Sequence, residues 1–235
     1  MPEEILIRQG APTLAGIKTG SLFPCPCEDR DALLMDIRRL NRLLVPKGLC
    51  LLPIRFRGGQ ALLYLYRPAE LRRDLKNRLA AEILRQAGYS GGGCARCVAK
   101  LARRFRESGE FPHEVGLFLS YPPEDVKGFI DHRANDFKCA GLWKVYGDEE
   151  KARSLFAKYK KCTEIYCALW QSGSKLEQLA VTVCSYKIIK RKEFTKVKTA
   201  VIYWSGAGNT EAMASGGALG RRTVMTWELI LFARV

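Results

Sequence analysis

Cys94-Ala-Arg-Cys97 sets two thiols three residues apart at the start of a helix-forming stretch, "CARCVAKLARRFRES". A helix N-terminus stabilises a thiolate, and Arg96 adds positive charge. That is the arrangement of a redox dithiol or of half a metal site. Cys25-Pro-Cys27 is a second close pair, expected to lie in a loop. The four sulfurs Cys25, Cys27, Cys94 and Cys97 are candidate ligands for a tetrahedral zinc or iron–sulfur centre. Two separate pairs of plain thiols is the alternative. His113 and Cys139 are candidates for a nucleophilic Cys–His arrangement, with Cys25, Cys27 and Cys50 as other sulfur partners. A hydrogen-bonded His113 at a strand edge is the simpler reading. Lys18, in "GIKTGSLF", is read either as an anion contact or as a surface lysine. A last stretch, "VIYWSGAGNTEAMA" (201–214), has the order strand, Gly-rich turn, helix. Such a turn suits a phosphate, which it cradles with backbone N–H groups and hydroxyls.

Composition bounds these chemistries. The chain has 235 residues, 47% of them hydrophobic, and a formal net charge of +15. That length holds one sizeable domain, or one domain and a fragment. No apolar run reaches the ~18 residues of a membrane span, and "MPEEILIRQG" lacks the apolar core of an export signal. A cytoplasmic protein is expected, with no membrane association. Nine cysteines, an odd number, argue against a disulfide framework. The basic residues are spread over several helices and no nucleic-acid motif is present. An anionic or acidic partner therefore fits the charge better than nucleic acid does.

Helices and strands must position these groups. The spacing predicts a short helix over 3–9 and a turn and short strand over 15–23. "CEDRDALLMDIRRLNRLLVPKG" is a helix, capped by Asp29 or Asp31 and stopped by Pro46 and Gly48. "LCLLPIRF" and "ALLYLYR", joined through "RGGQ", read as a hairpin. Two helices are expected over about 68–87, and "HEVGLFLSY" (113–121) is expected to be a central strand. "AGLWKVYG" (140–147) reads as a further strand, and a long helix opens at "DEEKARS". The expected fold class is α/β: a single layered domain over 1–183, with a mixed sheet of about five strands flanked by helices. A basic linker over 184–197 and a tail over 198–235 follow.

Several phrases carry a resemblance. "APTLAGIKTGSLF", "ALLYLYRPAEL", "FPHEVGLFLSYPPEDVKGFI" and "GLWKVYGDEEKARSLFAKYKKCT" resemble the bacterial domain-of-unknown-function family 3793, over roughly residues 3–183. The resemblance implies no particular activity. Members of that family usually carry His-Cys just before "APTLAG"; Gln9-Gly10 stands there in this chain. The tail, in turn, resembles the start of a flavodoxin. That resemblance implies an FMN phosphate loop, with side-chain contacts from Ser205, Asn209 and Thr210 and a tight path through Gly206 and Gly208. Ala207 departs from the usual threonine. The tail lacks the remaining strands of a flavodoxin, so FMN is implied but not expected to bind. A truncated flavodoxin start, joined to the first domain by fusion of neighbouring genes, is the expectation. The functional expectation is a link to flavodoxin-type redox or metal metabolism, with a redox protein as the implied partner. The alternatives are a binding or regulatory module for an anionic partner and a thiol-dependent hydrolase.

Overall fold

The computed structural model describes residues 3–90, 93–107 and 111–182. The chain divides into Met1–Val183 and Cys184–Val235, and the described residues all belong to the first unit. The linker over 184–197 and the phosphate-loop residues Ser205, Gly206, Ala207, Gly208, Asn209 and Thr210 lie outside them.

Helix α1 (Glu3–Leu14) leads into strand β1 (Gly20–Pro26), helix α2 (Arg30–Leu44) and the hairpin β2 (Cys50–Arg57) and β3 (Gln60–Tyr66). The hairpin turns on Gly58 and Gly59, whose φ values of 57° and 70° suit a two-residue turn that other residues adopt at a cost. The sheet order is β1-β3-β2, all antiparallel. Its prolines, Pro24, Pro26 and Pro53, sit on the two edge strands, where a missing N–H breaks no central ladder.

Strand alternation gives the sheet two apolar faces. Phe23, Cys25, Leu51, Ala61, Leu63 and Leu65 pack with α1 and α2 and with Leu176, Leu179 and Ala180. Ile54, Tyr64 and Tyr66 pack on the other side. The helices there are α3 (Pro68–Asp74), α4 (Arg78–Gln86), α5 (Cys94–Glu107) and α6 (Val115–Phe118). Helix α7 (Pro123–Asp131) lies against the second strand of a hairpin, β4 (Cys139–Ala140) and β5 (Lys144–Val145). A third apolar cluster joins that hairpin to the long helix α8 (Glu149–Gln171). A short helix, α9 (Leu176–Leu179), follows.

The α/β class therefore holds, but not as one mixed sheet of about five strands. Among the described residues there is a three-stranded antiparallel sheet and a separate two-stranded hairpin. The expected central strand 113–121 is a corner: Val115–Phe118 form a single helical turn, and Ser120 closes it at φ 62°. An apolar run has no periodicity that separates a buried strand from a buried turn. The expected strand 140–147 is reduced to two residues per arm of the β4–β5 hairpin. The first helix, expected over 3–9, runs to Leu14 because its second half is also buried, Pro12 included. The cap of α2 is Asp29, which accepts from the N–H groups of Asp31 and Ala32. Among the described residues no helix is long and apolar enough to cross a membrane.

Gly20 shows how tightly the α6 corner sits on the sheet. A Cβ there would meet the Phe118 carbonyl oxygen and lie 2.7 to 2.8 Å from the Tyr64 ring and hydroxyl. The Tyr64 hydroxyl itself donates to that carbonyl at 2.7 Å. Gly20→Ala is expected to destabilise the domain by about 3 kcal/mol in urea unfolding, because backbone and a buried ring must both move.

Candidate functional site

The loop that leaves α1 carries Lys18. Gly16 turns it at φ 78°, and the N–H groups of Ile17 and Lys18 both donate to the Pro12 carbonyl, at 3.0 and 3.1 Å. Thr19 then fixes the loop from three sides. Its N–H donates to Ser120 Oγ at 2.6 Å, its hydroxyl to Asp74 at the end of α3, and its carbonyl accepts from Arg67 N–H at 2.9 Å. Ser120 holds the left-handed conformation, which favours glycine or asparagine. Non-glycine residues kept there often mark functional corners.

These contacts leave the half-buried Lys18 side chain running between two tyrosines. Its Nζ lies 5.7 Å from the ring centre of Tyr121 and 5.8 Å from that of Tyr159, on α8. Tyr121 is backed in turn by Trp143, stacked at 4.6 Å. Burial lowers the Lys18 ammonium to about 8. Burial also pushes the Tyr159 phenol up to about 12, with the Asp74 carboxylate adding to the effect. Among the described residues no carboxylate lies within ion-pair distance of Lys18; its partners are the two ring faces. A cation in such a place is desolvated, and only the ring quadrupoles compensate. It is a desolvated charge with no counter-ion within ion-pair distance among the described residues.

The sequence named Lys18 but not its neighbours. Ser120 lies 101 positions from Thr19 and Asp74 lies 55 positions from it. No spacing rule links residues so far apart.

The thiols are arranged differently from the expectation. Cys25 lies in strand β1, not in a loop, and it and Cys27 pack on the α1–α2 face of the sheet. Cys94 and Cys97 pack on the opposite face. The structure therefore does not bring the two pairs together. Among the described residues no group of three or more His, Cys, Asp or Glu side chains is placed to hold a metal ion. What it does bring together is Cys50, Cys94 and Cys97, all in one apolar cluster. The expected lowering at the start of α5 is reversed: burial raises the Cys94 and Cys97 thiols. Cys139 is buried in the third cluster, beside Trp143 and Val145. His113 is exposed at the corner before α6, against the rings of Phe111 and Phe129 at 6.0 and 5.1 Å. His113 is thus at a corner rather than at a strand edge.

Residues 6–180 match the family model described as protein of unknown function (DUF3793). The chain belongs to this family. Lys18, Asp74, Ser120, Tyr121 and Tyr159 all fall within the matched DUF3793 span. No curated protein matches the chain, and no solved structure does.

Proposed function

We propose that this DUF3793 domain is a binding module that takes a small anionic ligand onto Lys18. The observation that carries this reading is the Lys18 ammonium, half-buried between the ring faces of Tyr121 and Tyr159 with no carboxylate beside it among the described residues. An anionic group would supply the missing counter-charge, and the low polarity of the site would strengthen the pair. The positive net charge of the chain, +15, favours the approach of such ligands. The thiol readings draw less support. Cys25 and Cys94 lie on opposite faces of the sheet, and Cys139 and His113 lie in different surroundings.

Sulfate tests the reading, because its own charge is constant from pH 6 to 10. Sulfate binding followed by calorimetry is expected to weaken roughly thirtyfold from pH 7 to pH 9.5, as an ammonium titrating near 8 loses its proton. Lys18→Arg is expected to keep the binding and lose its pH dependence, while Lys18→Met loses the binding. Equal binding by wild type and Lys18→Met defeats the proposal.

Stability gives an independent readout of the same group. The folded pKa of about 8 lies below the ordinary lysine value of 10.5, so between these values the unfolded chain holds more protons. The cost of burying the ammonium is fully present below pH 8 and fades as the pH rises to 10.5. Lys18→Met lacks that cost. It is expected to be the more stable protein at pH 7, by on the order of 2 kcal/mol, with the gap closing by pH 10.

A further inference from the structure

Residues from α1, α2, α8 and α9 enclose an open cleft of about 350 Å³, within the size range of small-molecule sites. Its apolar lining is Leu43, Leu176 and the half-buried indole of Trp170. Backbone bonds fix its shape. Lys47, in the turn after α2, donates to the Glu177 carbonyl at 2.5 Å, and Val181 N–H donates to that of Leu14 at 3.0 Å. These two bonds hold α9 against α2 and the end of α1. The charges at the cleft balance. Arg39 Nη1 donates to Glu3 at 3.1 Å, and Lys175 and Glu177 line the cleft beside that pair. Both are exposed, and neither is in an ion pair among the described residues. A simple anion or cation would meet a like charge here along with its counter-charge. A ligand that carries both charges and a ring complements all of the lining.

We propose that this cleft is a second ligand site, for a zwitterion with an aromatic side chain, that is, a free aromatic amino acid. The ligand carboxylate lies toward Lys175 and Arg39, its ammonium toward Glu177 and Glu3, and its ring against Trp170 over Leu43 and Leu176. No cysteine or histidine lines the cleft, so binding rather than conversion is assigned to it. The site goes beyond the anion-binding reading and does not rest on it. None of the residues that line the cleft flanks Lys18. Trp170 lies about three turns, roughly 16 Å, along α8 from Tyr159.

L-Phenylalanine is the probe, titrated into the full chain at pH 7 and followed by ligand-detected NMR. Binding is expected in the millimolar range, as befits exposed charges. Phenylacetate lacks the ammonium and phenethylamine lacks the carboxylate. Each is expected to bind at least about threefold more weakly, and glycine, which lacks the ring, weaker still. Lys175→Gln and Glu177→Gln change exposed positions outside the core, and each is expected to weaken phenylalanine about threefold to fivefold. Trp170→Leu is expected to weaken it further. Trp170 also packs against the α1–α2 cluster, so the two charge variants decide the matter if the leucine variant does not fold. Lys18→Met is expected to bind phenylalanine as wild type does. No binding by wild type in the millimolar range overturns the proposal. So does glycine or either single-charge analogue binding as tightly as phenylalanine, or wild-type affinity in either charge variant. Loss of phenylalanine binding in Lys18→Met would put the ligand at Lys18 and overturn the second site.

Discussion

Arg67→Met is expected to lower the stability of the domain by about 4 kcal/mol, more than Gly20→Ala or any change at Lys18. Arg67 is 2% exposed, and burial lowers its guanidinium to about 10. Its donors meet four backbone carbonyls. Nε donates to Thr13 at 2.8 Å, Nη2 to Leu14 and Val181 at 2.7 Å each, and Nη1 to Lys47 at 3.2 Å. Thr13 and Leu14 are at the C-terminus of α1, where no further helical turn follows; their carbonyls also accept from the N–H groups of Gly16 and Val181, at 3.2 and 3.0 Å. Lys47 ends the turn after α2, and Val181 follows α9. One planar side chain thus closes the ends of three segments. Methionine fills much of the same volume but gives up four charge-assisted hydrogen bonds. Those to Thr13 and Leu14 from Nε and Nη2 are buried, and hydrogen bonds to charged groups contribute about 1.5–3 kcal/mol each. Arg67→Lys keeps a charge, but a single ammonium cannot reproduce the fork. It is expected to recover less than half of the loss. Urea unfolding of the three proteins checks the order. Limited proteolysis gives a second test, because Val181 N–H also bonds Leu14 O at 3.0 Å. Cleavage near residue 180 should rise in Arg67→Met before global unfolding does. Stability within about 1 kcal/mol of wild type for the methionine variant would contradict the role of Arg67 as a clamp on these carbonyls.

Local structure was legible in the sequence wherever the deciding interactions are themselves local. Gly58-Gly59 between two apolar runs specifies the β2–β3 hairpin, and Asp29 ahead of a helical pattern specifies the start of α2. The alternation in Ala61, Leu62, Leu63, Tyr64, Leu65 and Tyr66 fills both faces of β3, as befits the middle strand. Legibility fails where tertiary packing decides. Val115–Phe118 has the composition of a strand, yet it turns as a helix. Gly116 there sits so close to Val126 that an added Cβ would lie 2.7 Å from its methyl group. The cysteine pairs failed for a related reason. Spacing says that Cys25 and Cys27 are close, and likewise Cys94 and Cys97. Only the sheet says that the two pairs face opposite ways. Lys18 was visible as a residue but not as a site. Its tyrosines arrive from the α6–α7 corner and from α8, and no property of "GIKTGSLF" announces them.

Asp125→Ala is expected to cost about 3–4 kcal/mol and to weaken sulfate binding at Lys18, although Asp125 does not touch the lysine. Asp125 is 2% exposed in the first turn of α7. Its Oδ1 accepts from the N–H groups of Tyr146 and Gly147 at 2.8 and 2.7 Å, and its Oδ2 from the Trp143 indole at 2.7 Å. These three bonds dock the β4–β5 hairpin on α7. Trp143 stacks on Tyr121, and the Tyr121 ring flanks the Lys18 ammonium. Alanine strands three donors at once, the Trp143 indole fully buried and the two N–H groups partly so, and charge-assisted bonds are the costlier kind to lose. Asp125→Asn keeps one oxygen for the two backbone N–H groups but turns an amide donor toward the indole N–H. It is expected to fall between wild type and alanine. Tryptophan fluorescence and urea unfolding measure the docking, and calorimetry at pH 7 measures sulfate binding at Lys18. If the hairpin loosens while sulfate affinity stays at the wild-type value, Tyr121 does not shape the site. If both decline together, with asparagine between, then the carboxylate in α7 sets the position of a ring that the lysine needs.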